Sequence, residues 1–363
     1  MKKRNAALYD PYLDVLGGGE KHILSILKIL QDEGYEITIF WDKDLNKSFD
    51  TNLNLKFDPQ IKFQKNIFKS GNFLNKAFTL NRFDIFFYVT DGSYFFSTAK
   101  NNYVFSMVPK KNLYEMNTVN RLKTLNYKFI ANSQFTHDWL KRWKINSQVI
   151  YPFLDEDYLN LSINNIPKEK IILSVGRFFK HLHSKKQDVI INAFRSLKHD
   201  NPKFKDYKLI LAGGLKQEDK NYLKELENII GHDDSIILKT NISHTELFDL
   251  YKKSLIYWHF TGHMVNEEIN PHLVEHLGIT PMEAMSMGCI TFCFNAGGPK
   301  EIINEGKNGF LFNDLNELEN KMNEVIENKI LMSDIQKNAK DFIKSKFNYS
   351  IFKEKVKEVV LKI

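Results

Sequence analysis

Short apolar runs rich in Ile, Val, Phe and Tyr alternate along this chain with longer segments of helical period, and the whole pattern then starts a second time. In the first half the strand candidates are Asn5–Tyr9, Glu36–Trp41, Phe83–Val89, Tyr103–Val108, Lys128–Ala131 and Gln148–Tyr151, with helix candidates such as Gly18–Asp32 and Phe135–Trp143 between them. Such alternation predicts parallel strands covered by helices. The restart runs through Lys170–Val175, Tyr207–Ala212, Ile236–Leu238, Ile256–Phe260 and Ile290–Phe294, with an amphipathic helix predicted over Lys185–Leu197. Two successive doubly wound α/β units are the simplest account of it. The chain's 363 residues also exceed what one ordinary core accommodates. A polar, acidic stretch with a proline at each end, Pro152–Pro167, places the boundary. The expected units are residues 1–152 and 153–348, followed by an amphipathic, lysine-rich last helix within 349–363. In open parallel sheets ligands bind at the carboxyl ends of the strands. Two such sheets facing each other would make a cleft.

Composition narrows the class. Hydrophobic residues make up 43% and charged residues 26%, as in a soluble globular protein. No stretch approaches the roughly 20 apolar residues of a membrane span. The start is basic and then apolar, but Asp10 and Pro11 interrupt the apolar run, so it reads as a first strand rather than a signal peptide. Cys289 and Cys293 lie in an apolar stretch and read as reduced, buried thiols of a cytoplasmic protein. The net charge of +7 is unevenly placed: residues 1–150 carry 22 Lys/Arg against 14 Asp/Glu, and the remainder 29 against 30. Lys100–Lys144 holds nine of these bases and two acids, interleaved with Tyr103, Phe105, Tyr114, Tyr127, Trp139 and Trp143. That stripe suits an anionic partner such as a lipid headgroup or a phosphorylated acceptor; it also fits a solvated basic face with core aromatics.

Four pieces carry chemistry. Gly17-Gly18-Gly19-Glu20 opens a helix after the first strand, where free N–H groups can meet a phosphate or carboxylate; its spacing is not that of a dinucleotide site. Ser174-Val175-Gly176-Arg177, followed by Lys185-Lys186, puts cations at a strand end, where they suit a diphosphate, Arg by a fork and Lys as a point charge. Glu275-His276-Leu277-Gly278-Ile279-Thr280-Pro281-Met282-Glu283 leads into another helix. Thr280 reads as its N-cap, Pro281 as its first residue and Glu283 as the partner in a capping box. The N–H groups from Gly278 through Ile279 to Thr280 would face phosphate or sugar oxygens, flanked by the two carboxylates. Gly297-Gly298-Pro299-Lys300-Glu301 supplies another glycine loop at another strand end.

These pieces, in this order and spacing, resemble glycosyltransferase family 4, retaining nucleotide-sugar-dependent enzymes of the GT-B fold with two Rossmann-like domains. The resemblance covers most of the chain, is tightest over Ser174–Leu311, and has Glu275 and Glu283 as its most specific part. Ala131-Asn132-Ser133-Gln134-Phe135-Thr136 also looks like a segment late in the family's N-terminal, acceptor-binding domain. The resemblance implies that Arg177 and Lys186 grip the donor diphosphate, with Lys185 the other lysine that can align. Glu283 would hold the ribose hydroxyls, and Glu275 would touch the donor sugar and support charge at its anomeric carbon. Gly17–Gly19 would close over the phosphates from the other domain, Gly298 and Glu301 would join the donor site, and the last helix would cross back to the N-terminal domain. The implied reaction moves a hexose from a UDP- or GDP-linked sugar to an acceptor hydroxyl of a glycan, glycolipid or other cell-surface precursor, with no bound metal or cofactor. The implied setting is cytoplasmic, with a peripheral site on the inner face of a membrane.

One departure stands out. Many family members carry a histidine near the end of the strand matching Tyr103–Val108, whereas this chain reads Phe105-Ser106-Met107-Val108-Pro109. That leaves a second reading, a catalytically silent sugar-nucleotide binder or partner subunit. A nucleic-acid reading rests on the basic stripe alone and no such partner is expected; its binding would fall steeply with salt. Asp42-Lys43-Asp44 and Asp155-Glu156-Asp157 mimic the DxD metal motif of another fold. His259, His263, His272 and His276, near Glu267 and Glu268, match no common zinc spacing. His263, Glu267 and Glu268 read instead as an extra loop over the sugar pocket.

Overall fold

The computed structural model describes residues 4–69, 72–163, 166–180 and 184–363. They form two compact units. The first holds the described residues up to Phe153 together with Ser350–Ile363, and the second is Leu154–Tyr349.

In unit one, seven strands form a parallel sheet: β1 (Arg4–Tyr9), β2 (Tyr35–Phe40), β3 (Lys62–Gln64), β4 (Ile85–Val89), β5 (Asn101–Ser106), β6 (Tyr127–Ala131) and β7 (Ser147–Val149). Their order is β3-β2-β1-β4-β5-β6-β7. Ala6 of β1 pairs with Ile37 of β2 on one side and Ile85 of β4 on the other. All five residues of β4 are buried, as a strand covered on both faces requires. The helices are α1 (Gly18–Asp32), α2 (Asn46–Leu53), α3 (Phe73–Leu80), α4 (Thr118–Lys123) and α5 (Gln134–Arg142). The helical period of α1 turns Ile23, Ile26, Leu27 and Leu30 inward, all fully buried.

In unit two, six parallel strands follow: β8 (Glu169–Val175), β9 (Lys208–Gly213), β10 (Ile236–Thr240), β11 (Ser254–His259), β12 (Ile290–Phe294) and β13 (Phe310–Phe312), in the order β10-β9-β8-β11-β12-β13. Its helices are α6 (Glu156–Asn160), α7 (Gln187–Asp200), α8 (Lys220–Ile230), α9 (His244–Lys253), α10 (Ile279–Ser286), α11 (Pro299–Ile302), α12 (Leu315–Glu327) and α13 (Lys329–Lys346). Phe194, Leu209, Trp258, Phe292 and Met322 are among its buried core. A last helix, α14 (Tyr349–Val356), passes into a π turn, Lys357–Leu361. From Ser350 on this segment packs on unit one. Phe352 lies against Phe153, and Tyr103 donates its hydroxyl to the carbonyl of Val360 at 3.1 Å.

This is the doubly wound α/β architecture expected for each half. The strand order reverses between β1 and β4 in one sheet and between β8 and β11 in the other. Crevices at the carboxyl ends of strands that flank such a reversal are where open α/β sheets bind ligands.

Candidate functional site

The chain leaves β8 at the reversal. Gly176 follows the strand, then Arg177, which is exposed and lies over the Phe179 ring at 4.9 Å. Gln187 at the start of α7 donates to the Arg177 carbonyl at 3.0 Å and accepts from the Tyr222 hydroxyl at 3.2 Å, so the Arg177 backbone is tied to two helices. Lys186 sits just before α7 in the left-handed conformation, φ 57°, which few non-glycine residues adopt. Lys185 lies across Gly176, where even a Cβ would meet its Cγ at 2.4 Å. Arg177, Lys185 and Lys186 thus share one strand end.

Lys185 Nζ reaches Glu275 Oε2 at 2.5 Å, and both side chains are only 15% exposed. The same oxygen lies 3.0 Å from Nε2 of His259, the buried last residue of β11. Burial pushes the His259 imidazole below its ordinary pKa, against the opposing pull of Glu275. Cys293, opposite His259 in the ladder with β12, is held protonated by burial and by the Glu275 charge. Burial likewise lowers neighbouring His276, to about 4.

The start of α10 differs from the sequence reading. Its N-cap is Gly278, φ +106°, and Ile279 is the first helical residue, so no Thr280–Glu283 capping box forms. The reason is tertiary. Thr280 turns its hydroxyl inward, accepting from Tyr257 at 2.8 Å and facing the Val175 carbonyl at 3.4 Å. Glu283 accepts instead from the Tyr251 hydroxyl at 2.8 Å. Burial and the Glu283 charge drive Tyr251 well above the ordinary phenol range. The Tyr257–Thr280–Val175 chain fastens the first turn of α10 to the end of β8, beside Arg177. Behind it, the half-buried Lys168 ammonium donates to the carbonyls of Tyr251 (3.3 Å), Lys252 (2.9 Å) and Met287 (2.7 Å), serving the last turns of α9 and α10 together. A cation is favoured at such ends.

Gly297 and Gly298 brace Glu275 from the other side. Gly298 N–H donates to the Glu275 carbonyl at 2.8 Å. Gly297 has φ +67°, and a Cβ there would lie 2.1 Å from that carbonyl oxygen, so only glycine fits. Glu301, in α11, donates its N–H to the Gly298 carbonyl at 2.8 Å. The expected loop over a sugar pocket has a different job in part. Glu267 accepts from Gly297 N–H at 2.7 Å and pairs with Lys300 at 2.8 Å, so it clamps the glycine loop. His263 lies near Lys186, whose charge adds to burial in lowering its pKa.

In unit one, Gly17 N–H donates to the Glu20 carboxylate at 2.9 Å at the start of α1. Gly19 faces Met107 just beyond β5, whose Sδ would be 2.5 Å from a Cβ. One DxD lookalike sits in a bend after β2 and the other at the start of α6. Asp42 accepts from Asn66 N–H, Asp44 from Asn46 N–H, and Asp155 precedes α6 as its N-cap. Among the described residues no group of three His, Cys, Asp or Glu side chains is arranged to hold a metal.

The second sheet therefore gathers three cations, two carboxylates and the free N–H groups of a helix start at one end. This set can bind a dianion and place carboxylates beside whatever the dianion carries. His259, Tyr251, Tyr257 and Lys168 complete it and were given no role from sequence. His259 alone was visible there, as one of a histidine group without metal spacing.

Residues 160–342 match the family model described as glycosyl transferases group 1. The chain is 26% identical over 234 residues to a GDP-Man:Man(3)GlcNAc(2)-PP-Dol alpha-1,2-mannosyltransferase of Dictyostelium discoideum, which covers 59% of this chain and 43% of that protein. It is 29% identical over 203 residues to the alpha-1,3/1,6-mannosyltransferase ALG2 of Saccharomyces cerevisiae, covering 48% of this chain and 39% of that one. The matched stretch thus spans less than half the length of these curated relatives. Among solved structures, a glycosyltransferase from Rickettsia africae superposes with a TM-score of 0.74 at 20% identity, over 99% of both chains. Anabaena Alr3699/HepE, solved in complex with UDP-glucose, gives 0.70 at 17% identity, over 99% of this chain and 100% of that one. At these identities the structures speak for the fold.

Proposed function

Because the chain belongs to the glycosyl transferases group 1 family, we propose that it moves a hexose from a UDP- or GDP-linked sugar to an acceptor hydroxyl, with retention of configuration and without a bound metal. The observation that carries this reading is the Lys185–Glu275 pair beside Arg177 and Lys186 at the end of β8, with the first turn of α10, which leads to Glu283, fastened to the same strand end by the Tyr257–Thr280–Val175 chain. As the sugar–phosphate bond breaks, negative charge grows on the diphosphate. Arg177, Lys186 and the N–H groups at the start of α10 would stabilise it as it forms. Glu275 would support the positive charge on the anomeric carbon, and Glu283, oriented by the Tyr251 hydroxyl, would hold the ribose hydroxyls. The acceptor hydroxyl attacks from the face the diphosphate leaves and gives its proton to the departing phosphate oxygen.

The named relatives include enzymes of GDP-mannose and dolichol-linked acceptors, and a structural neighbour was solved with UDP-glucose. GDP-mannose and UDP-glucose are therefore the first donors to try, and a lipid-linked glycan the first acceptor. Among the described residues no helix is long and apolar enough to cross a membrane. The basic unit one and the exposed apolar side chains of α3 support peripheral binding to an anionic surface. Nucleotide release from UDP-, GDP-, ADP- and TDP-sugars, with and without EDTA, tests the reading. Turnover of one donor in EDTA is expected. The stretch Phe105–Pro109, near which the resemblance expects a histidine and which has none, favours the rival reading of a silent binder. Donor binding without release across acceptors would establish that rival.

A further inference from the structure

Lys185 and His259, which both face Glu275 Oε2, differ in character. Lys185 stands on a flexible four-carbon stem at 2.5 Å, whereas His259 lies at 3.0 Å on the rigid end of β11. The His259 ring is 1% exposed and lies nearly parallel to Tyr257, centroids 6.4 Å apart. Lys185 also lies along Gly176, next to Arg177, where the proposed reading puts the donor diphosphate. A dianion there draws the ammonium toward itself, because an oxyanion of higher charge competes well for it. Glu275 then loses the Lys185 cation at the stage when positive charge must be stabilised beside it. A carboxylate released in this way regains charge but loses orientation unless something else holds it.

We propose that His259 is a positioning residue, whose Nε2–H keeps the Glu275 carboxylate in place when Lys185 turns from Glu275 to the donor diphosphate. The inference rests on the proposed transferase reading and assigns a role that the sequence motif does not contain. An ionised carboxylate only accepts, so His259 must donate from Nε2. Its imidazole, buried and facing Glu275, Lys185 and the Cys293 thiol, stays neutral. A neutral donor fixes the direction of the carboxylate without cancelling its charge, which a second cation would do. Lys185 is then a counter-ion in the empty site and a phosphate ligand in the filled one.

The test compares His259→Leu and His259→Gln with the unaltered protein, using the donor that the sugar-nucleotide panel identifies. For His259→Leu, kcat should fall roughly 10- to 100-fold, with donor KM and affinity for the free nucleoside diphosphate within about twofold. Glutamine, which keeps an N–H donor, should restore most of that loss. In the unaltered protein, the NMR signal of the His259 Nε2 proton should persist when UDP or GDP saturates the site. Unchanged kcat in His259→Leu overturns the proposal. So do equal losses in both variants accompanied by weaker nucleotide binding, which would mean a packing role, and so does loss of the Nε2 proton signal on saturation. Failure of the unaltered protein to turn over any donor overturns the transferase reading and this inference with it.

Discussion

Glu275 and Asp10 are carboxylates near strand ends, and their surroundings treat them in opposite ways. Glu275 has a cation and a neutral donor on one oxygen. Asp10, just past β1, is fully buried; one oxygen accepts from Tyr12 N–H at 2.9 Å, and the other has no hydrogen-bond partner. For Glu275→Ala the expected outcome is a folded protein with transfer lowered roughly 10²- to 10³-fold, the scale of losing one electrostatic group at a reacting centre. Circular dichroism and nucleotide release would check it; unchanged transfer removes Glu275 from the mechanism. Asp10 makes a prediction about pH. Burial, with smaller contributions from Glu20 and Asp14, pushes its pKa up from 3.8 to about 7. The folded state thus holds a proton that the unfolded chain has released. The stability this gives is fully present below about pH 4 and is lost as pH rises toward 7. Asp10→Asn keeps an acceptor for Tyr12 and cannot ionise. Its gain over the native protein should grow by on the order of 2 kcal/mol between pH 5 and pH 8. Denaturant melts at the two pH values measure it, and a gain independent of pH would show that Asp10 is already ionised in the folded protein at pH 5.

At the scale of elements, the second sheet's site is held by contacts between segments distant in sequence. Lys168 serves α9 and α10 at once, and its acceptor at Met287 is 119 residues away. Lys168→Met leaves those carbonyls without their charged donor and should cost about 2–3 kcal/mol. Because Tyr251 O is among its acceptors and Tyr251 Oη holds Glu283, nucleotide affinity should fall along with stability. Thermal melts with and without UDP or GDP separate the two effects; a variant that melts lower yet binds nucleotide as before would uncouple Lys168 from Glu283. The same distances explain what the sequence could and could not say. A buried strand such as β4 announces itself as an unbroken apolar run, and β12 has the bounds that its Ile, Phe and Cys residues predict. The three-residue edge strands β3 and β13 do not, because Lys62–Gln64 contains one apolar residue and Phe310–Phe312 is too short to show a period. Glu275 and Glu283 were legible as a spaced pair. Their partners were not, since nothing local marks Tyr251, Tyr257 or His259 as facing them. The capping box read at Thr280 failed for that reason: a local signal yielded to a tertiary hydrogen bond.

Across the whole molecule the charge is divided as sharply as the fold, with the excess of bases confined to the first 150 residues. Between Pro59 and Phe83 there are five bases and no acid. Within this stretch α3 turns Phe73, Leu74 and Phe78 outward, exposed at 60%, 74% and 70%, with Phe96 beside Phe73. Lys76 stands on the same helix, and Arg82 lies over the Phe78 ring at 5.0 Å. Scattered apolar residues on a surface mean little, but a contiguous set rimmed by bases matches an anionic bilayer in both its parts. Each base near such a surface contributes about 1 kcal/mol, and the attraction fades within a Debye length of roughly 8 Å at physiological salt. The protein should therefore float with vesicles containing phosphatidylserine and fail to float with neutral ones. Binding should weaken as salt rises without vanishing, because the aromatic anchors are not screened. Replacing Phe73, Leu74 and Phe78 by Ser should leave the fold intact, since none of the three is buried, and should cut the bound fraction about tenfold or more, three apolar side chains being withdrawn from the lipid. If the triple variant floats like the native protein, α3 is not the contact. If the native protein stays behind at moderate salt, the basic unit is a solvated face and the acceptor must be met in solution.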